Sequence, residues 1–141
     1  MRPVAFWDTS ALVSLCVDRT TTQQALLLER QYRIAVWWAT HVEIASALAQ
    51  LLRLEKITAS EHAHAKQQAE QLAMVWRIVA PSAKIAFDAR GLLARFPLRA
   101  ADALQLAAAL EWCEGKPARR MFLTFDQRLS EAAGLAGFAL Q

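Results

Sequence analysis

The sequence predicts an α/β protein in which a parallel sheet is covered by helices on both faces. Two observations lead to this fold class. Short apolar runs such as VAFW, IAVWW and MFLTF alternate with longer segments of helical character. Glycine and proline are scarce, at four residues each, which favours short loops and a large helical fraction. With 55% hydrophobic and 21% charged residues, we expect one compact domain spanning residues 1–141.

The first half of the chain predicts two buried strands, each followed directly by a helix. VAFW (4–7) ends in Asp-Thr-Ser, a change of pattern that marks a helix start. IAVWW (34–38) precedes Thr40, which we expect to cap a long helix. The other predicted helices of this half cover residues 9–17, residues from Thr20–Thr22 to about Tyr32, and residues from Thr58 or Ser60 to Val75.

The second half predicts three more helices and one or two more strands. Pro81-Ser82 starts a helix that ends before Pro97, and residues 100–113 form a helix so rich in Ala and Leu that it should be buried. MFLTF (121–125) is a strand, a short helix follows it, and GFALQ at the end could form a last strand. No strand is predicted between Thr40 and Phe96, so these helices should pack on one side of the sheet.

Four acidic residues interrupt apolar segments: Asp8, Glu43, Asp102 and Asp126. A buried carboxylate is costly unless its charge is compensated, and no Lys or Arg lies within three residues of Asp8 or Glu43. Asp8 and Asp126 follow predicted strands, and the other two lie in the first turns of helices. Because ligands bind at the carboxyl edge of a parallel sheet, we expect the four to converge there and to hold Mg²⁺ or Mn²⁺.

Each of these acids also has a structural explanation. Asp8 and Asp126 could be N-caps, and Asp102 could be an acid favoured in a first helical turn. Glu43 could form a capping box with Thr40, since Thr-x-x-Glu fits that pattern. A fifth acid, Asp88 in FDARGLLARF, is assigned to the wet side of an amphipathic helix, outside the site.

The net charge, the cysteines and the length of the apolar runs say less about the function than the four acids do. The net charge is +3, and twelve of the 16 basic residues are Arg, which suits phosphate binding but is equally explained by codon usage. Two cysteines far apart in the chain, Cys16 and Cys113, predict buried free thiols. No apolar run reaches the ~18 residues needed to cross a membrane, so we expect a cytoplasmic protein.

The segments around the four acids resemble the PIN-domain family, with the nearest likeness to the VapC-type toxins of bacterial toxin–antitoxin pairs. Four elements in order carry this likeness over nearly the whole chain: DTSAL (8–12), Glu43 in the helix after the second strand, LRAADAL (98–104) and LTFDQRL (123–129). The resemblance implies an α/β/α sandwich around a parallel sheet of four or five strands. It also implies a Mg²⁺- or Mn²⁺-dependent endoribonuclease.

Carried over by this resemblance, Asp8, Glu43, Asp102 and Asp126 match the acidic catalytic site. The hydroxyl positions that orient it match Thr9 or Ser10 and Thr124. Asp8, Asp102 and Asp126 would hold the metal, and Glu43 would be a ligand or orient the attacking water. A metal-activated water would attack the phosphorus and expel the 3′-oxygen, leaving 5′-phosphate and 3′-hydroxyl ends.

The resemblance also implies partners. They are an RNA substrate, a cognate antitoxin that inserts near the acids, a second copy of the chain in a homodimer, and DNA reached through the antitoxin. Arg99, three residues before Asp102, could clamp substrate phosphate or the antitoxin, or could pair with the acids themselves. The alternative function is a PIN-scaffold module that binds nucleic acid or protein with weak or no catalysis. The four intact acids argue against that alternative.

Overall fold

The computed structural model describes all 141 residues and contains a five-stranded sheet whose neighbouring strands are all parallel. The strand order across the sheet is β3-β2-β1-β4-β5. The strands are β1 (Val4–Trp7), β2 (Arg33–Trp37), β3 (Arg77–Val79), β4 (Met121–Leu123) and β5 (Ala139–Leu140). The first strand therefore lies at the centre of the sheet, between the second and the fourth.

Seven helices connect and cover the strands. They are α1 (Thr9–Cys16), α2 (Thr22–Gln31), α3 (Thr40–Arg53), α4 (Ala59–Ala73), α5 (Ala83–Arg95), α6 (Ala100–Trp112) and α7 (Gln127–Leu135). Side-chain oxygens of Asp8, Thr58, Ser82 and Asp126 cap four of these helices by accepting hydrogen bonds from backbone N–H groups. Four helix starts are thus fixed locally by the sequence.

Two hydrophobic cores, one on each face of the sheet, hold the layers together. Along β1 the side chains alternate, so that Ala5 and Trp7 face one core and Phe6 faces the other. Helices α1–α4 pack on the first face and α5–α7 on the second. Full burial of an aromatic side chain such as Phe6 contributes about 1.5–3 kcal/mol. The predicted three-layer α/β/α architecture is confirmed.

Three predictions about the middle of the chain are wrong. The helices between Thr40 and Phe96 do not all pack on one side of the sheet, because α3 and α4 lie on one face and α5 lies on the other. Arg77–Val79 forms β3, an edge strand parallel to β2, where no strand was expected. The strand lies in the apolar segment MVWRIVA (74–80), which Arg77 interrupts, and Arg77 and Ile78 are exposed at the edge of the sheet. Thr40 does not cap α3 either: Ala39 holds the N-cap position, and Thr40 is fully buried inside the first turn.

Two smaller expectations concern burial and membrane-spanning length. Cys16 and Cys113 are free and buried, as predicted. Helix α6 is buried along Leu106–Ala109, which confirms the interpretation of its Ala- and Leu-rich sequence. None of the seven helices has the length and apolar character required to cross a bilayer.

Candidate active site

The carboxyl edge of the sheet brings the four acids to one cavity. Asp8 directly follows β1 and Asp126 follows β4, while Glu43 and Asp102 lie in the first turns of α3 and α6. The backbone N–H of Asp8 donates to the Leu123 carbonyl at 2.9 Å, so Asp8 is tied directly to β4. All four acids line a cavity of about 630 Å³, which we term the acidic cavity. The four acids therefore share one cavity.

Asp8 is the most buried of the four and is held by neutral donors. Its side chain is only 5% exposed. Its Oδ2 accepts hydrogen bonds from Ser10 Oγ and Thr124 Oγ1, both at 2.7 Å, and from the Ser10 N–H at 3.3 Å. No Lys or Arg forms an ion pair with it. One oxygen is thus fixed by hydroxyl groups, while Oδ1 has no hydrogen-bond donor from the protein.

Burial raises the pKa of Asp8 from 3.8 to about 6. The hydrogen bonds from Ser10 and Thr124 oppose this rise, and the charge of Asp102 adds to it. The carboxylate is therefore ionised at neutral pH at a free-energy cost, and a bound cation would remove that cost.

Glu43 is held in the same way by a different pair of neutral groups. Its Oε1 accepts from Thr9 Oγ1 at 2.7 Å and from Gln105 Nε2 at 3.0 Å. The capping box with Thr40 does not form, so that interpretation of Glu43 is wrong. The Glu43 carboxylate instead accepts a hydrogen bond from the side-chain amide of Gln105, which belongs to helix α6.

Asp102 and Asp126 occupy a more open position at the edge of the acidic cavity. They also line a second cavity of about 680 Å³, together with Arg99 and Arg128, which we term the outer cavity. Partial burial raises the pKa of Asp102, and so does the charge of Asp126, whereas the charges of Arg99 and Arg128 lower it. Asp126 Oδ1 accepts from the Leu129 N–H at 3.0 Å, so Asp126 does cap α7. The two cavities meet at these two carboxylates.

The donor atoms of the acidic cavity fit a hard, hydrated cation. No His or Cys lines it, and carboxylate oxygens are the ligands that Mg²⁺ and Mn²⁺ prefer. No three acidic, His or Cys side chains lie close enough together to form a ready-made metal site. Mg²⁺ keeps several waters, so it tolerates spaced carboxylates, whereas structural Zn²⁺ needs four protein ligands. The chemical type of these ligands, carboxylate oxygens, therefore suits Mg²⁺ or Mn²⁺.

The structure also places the other residues considered from the sequence. Thr9, Ser10 and Thr124 all donate hydroxyl hydrogen bonds to a site carboxylate. Arg99 is exposed at the N-cap position of α6 and lines the outer cavity. Asp88 lies on the surface, as predicted, where it forms an ion pair with Lys84 at 2.8 Å.

Sequence reasoning missed Gln105 and Arg128. Gln105 is 1% exposed and is the one amide side chain in the apolar run AADALQLAAAL, at three residues from Asp102. A polar residue at that spacing shares a helix face with Asp102, and this was the available signal. Arg128 follows Asp126 by two residues in the first turn of α7, where nothing in the sequence separates it from other surface arginines.

A family model for the PIN domain matches residues 5–135. The match covers most of the chain, which belongs to the PIN-domain family. The acids at the carboxyl edge of its sheet are thus set in a PIN fold. No curated protein sequence matches the chain.

Solved structures with the same fold include three from bacterial toxin–antitoxin systems. A toxin–antitoxin complex from Klebsiella pneumoniae is 21% identical, covers 88% of both chains and has a TM-score of 0.61. VapBC2 from Rickettsia felis, bound to a DNA fragment from its promoter, is 12% identical over 98% of this chain and 97% of that one, with a TM-score of 0.66. VapC20 from Mycobacterium tuberculosis, a toxin that cleaves the sarcin–ricin loop, is 18% identical over 96% of both, with a TM-score of 0.69.

Proposed function

We propose that this protein is a Mg²⁺- or Mn²⁺-dependent endoribonuclease and the toxin of a toxin–antitoxin pair. The observation that carries the proposal is one cavity lined by four acids, of which Asp8 is buried and has no cationic partner. Membership of the PIN-domain family, a family of nucleases, supports the same reaction class. VapC20, which shares the fold, is described as an RNA-cleaving toxin.

The proposed roles follow from which oxygen atoms remain available. Asp8, through its free Oδ1, would hold the cation with Asp102 and Asp126. When bound, the cation would lower the pKa of a coordinated water and neutralise charge on the phosphate. Glu43, fixed at Oε1, presents its other oxygen to orient the attacking water and to accept a proton. In-line attack on phosphorus would expel the 3′-oxygen and leave 5′-phosphate and 3′-hydroxyl ends.

Free arginine charge next to the acids supports a phosphate-bearing substrate. No arginine in the protein forms an ion pair, because the three ion pairs involve Lys84 twice and His41 once. Arg99 and Arg128 line the outer cavity, which adjoins the carboxylates that would hold the cation. We propose that they bind phosphates next to the scissile bond. The nucleophile is water, so the preference for RNA would come from strand shape and contacts to unpaired bases.

An apolar strip beside the acids supports an antitoxin partner. Val13, Leu51 and Leu54 line the acidic cavity, and Leu54 is 56% exposed. Such a strip suits the apolar face of a partner helix, and a following Arg would reach the carboxylates. Two of the solved relatives are toxin–antitoxin complexes, one of them bound to promoter DNA. We extend the proposal to a homodimer that reaches DNA through its antitoxin in the cytoplasm.

The test is cleavage of single-stranded RNA by the purified protein. We expect cleavage in Mg²⁺ or Mn²⁺ that EDTA stops and that Asp8→Asn abolishes. Asp88→Asn is the matched control, because it removes a surface carboxylate and should cleave normally. If the wild type binds RNA but does not cleave it, the alternative function, a PIN-scaffold binding module, would be favoured.

A further inference from the structure

One buried amide joins the starts of three helices around the acidic cavity. Gln105 Nε2 lies 3.0 Å from Thr9 Oγ1 on α1, and 3.2 Å and 3.0 Å from Thr40 Oγ1 and Glu43 Oε1 on α3. Gln105 itself belongs to α6, the helix that carries Asp102. The amide therefore lies where the three elements that supply Thr9, Glu43 and Asp102 come together.

The orientation of this amide is fixed by its surroundings. Three acceptor oxygens face Nε2, so turning the group over would place its carbonyl oxygen against the Glu43 carboxylate. Oε1 is buried and has no hydrogen-bond partner. A buried acceptor left unpaired lowers the stability of the fold. Apolar residues of similar size would avoid that cost, so stability alone does not explain a glutamine at this position.

We propose that Gln105 is a positioning residue for Glu43. One of its two N–H groups is shared between Glu43 Oε1 and Thr9 Oγ1, whose hydroxyl donates to the same Oε1, and the other N–H is left for Thr40. The two donors fix one oxygen of the carboxylate and leave Oε2 for the acidic cavity. This inference rests on the proposed nuclease function, because it assigns Gln105 a part in presenting Glu43 to the reaction.

A neutral donor suits this role better than a cationic one. Lys or Arg at this position would hold Glu43 too, but its charge would oppose binding of a divalent cation in the same cavity. The amide stabilises the carboxylate while leaving its charge available. Because Gln105 lies three residues after Asp102 on one face of α6, it also ties the position of Glu43 to that of Asp102.

The experiment compares Gln105→Met with Leu106→Met. The first removes both the donor and the unpaired acceptor at nearly constant volume. The second changes a fully buried neighbour on the same helix and controls for packing. For Gln105→Met we expect kcat on RNA to fall by about tenfold to a hundredfold, the cost of misplacing a reacting group by about 1 Å. KM and the thermal midpoint should stay near those of the wild type, and Leu106→Met should keep full kcat.

A second measurement does not depend on cleavage. In NMR spectra of the wild type, the side-chain NH₂ of Gln105 should exchange slowly with solvent and shift when Glu43→Gln is introduced. Rotamer couplings of Glu43 should report a single conformer in the wild type and averaging in Gln105→Met.

The outcomes separate the two proposals. If the wild type cleaves RNA and Gln105→Met has the same kcat, the positioning role is overturned. A loss of kcat that matches a lowered thermal midpoint, with Glu43 still in one rotamer, overturns it as well and indicates packing alone. If the wild type cleaves no RNA, the proposed function fails. The NMR couplings of Glu43 would then still support or overturn the hydrogen-bonded arrangement.

Discussion

The acidic cavity has an inner half, with Asp8 and Glu43, and an outer half, with Asp102 and Asp126. The two halves hold negative charge in different ways. In the inner half, Asp8 and Glu43 each have one oxygen fixed by neutral hydroxyl or amide donors, and neither forms an ion pair. In the outer half, the pKa of Asp102 reflects both the charge of Asp126, which raises it, and the charges of two arginines, which lower it. The inner half thus keeps its full charge, while the outer half is partly compensated.

This difference explains how one site can attract both a cation and a polyanion. Neutral donors fix Asp8 without cancelling its charge, which keeps its attraction for Mg²⁺. Arg99 and Arg128 place two guanidinium groups among the three carboxylates that line the outer cavity, Asp102, Asp126 and Glu131, and these groups can contact the phosphates of a strand. The four carboxylates would therefore govern cation binding and the chemical step, and Arg99 and Arg128 would govern substrate affinity.

The largest effect should come from the inner half. Glu43→Gln keeps the size of the side chain but removes its charge and its ability to accept a proton. We expect kcat to fall by about 10²–10⁴-fold with little change in KM, because general-base catalysis contributes about that much. Steady-state RNA cleavage, with Glu70→Gln on exposed α4 as the control, measures it. A mainly raised KM would place Glu43 in substrate binding instead.

The second prediction concerns the cost of charging Asp8 in the metal-free protein. Its pKa in the fold is about 6 and exceeds the ordinary value of 3.8, so between these pH values the folded state binds more protons than the unfolded state. Stability then falls as pH rises through this window, and the loss is complete above about pH 6. The difference amounts to roughly 3 kcal/mol at neutral pH.

Asp8→Asn should remove this loss. Asn can still cap α1 and accept from Ser10 and Thr124, so the variant in EDTA should be more stable than the wild type at pH 7.5 and nearly equal to it near pH 4. Urea unfolding at both pH values measures the difference. A less stable variant at pH 7.5 would mean that the carboxylate is retained for folding.

The smallest effect should come from the two arginines of the outer cavity. Arg99→Gln or Arg128→Gln should raise KM for RNA by about tenfold, which corresponds to about 1.4 kcal/mol, and leave kcat nearly unchanged. The salt dependence of binding should also weaken by about one phosphate contact for each variant. Arg30→Gln, an exposed arginine on α2, is the control. An equal effect of Arg30→Gln would indicate general electrostatic attraction rather than a defined phosphate site.

Particular residues show why the fold was largely predictable from the sequence and the site only partly. Residues 5–7 and 34–37 are buried against the two cores on both faces of the sheet, so their apolar runs reveal the strands. Arg77–Val79 is an edge strand in which a charged residue, Arg77, interrupts the apolar segment MVWRIVA, so the pattern is less clear. The acids stand out because they interrupt apolar segments. The donors that hold Glu43 come from α1 and α6, and a contact between helices distant in sequence leaves no local pattern.

Thr40 shows a related limit. Thr-x-x-Glu fits a capping box, and such a box does form elsewhere, between Thr58 and Glu61. At α3 the tertiary contact with Gln105 takes the hydroxyl of Thr40 instead. Local chemistry allowed both outcomes, and the hydrogen bond from Gln105 on α6 distinguishes the start of α3 from that of α4.

Mn²⁺ titration by calorimetry tests the shared cation site most directly. The wild type should show saturable binding, Asp8→Asn and Asp102→Asn should bind at least about tenfold more weakly, a difference of about 1.4 kcal/mol, and Asp88→Asn should match the wild type. Equal Mn²⁺ binding by all four proteins, or no saturable binding by the wild type at millimolar Mn²⁺, would contradict a cation held jointly by these carboxylates.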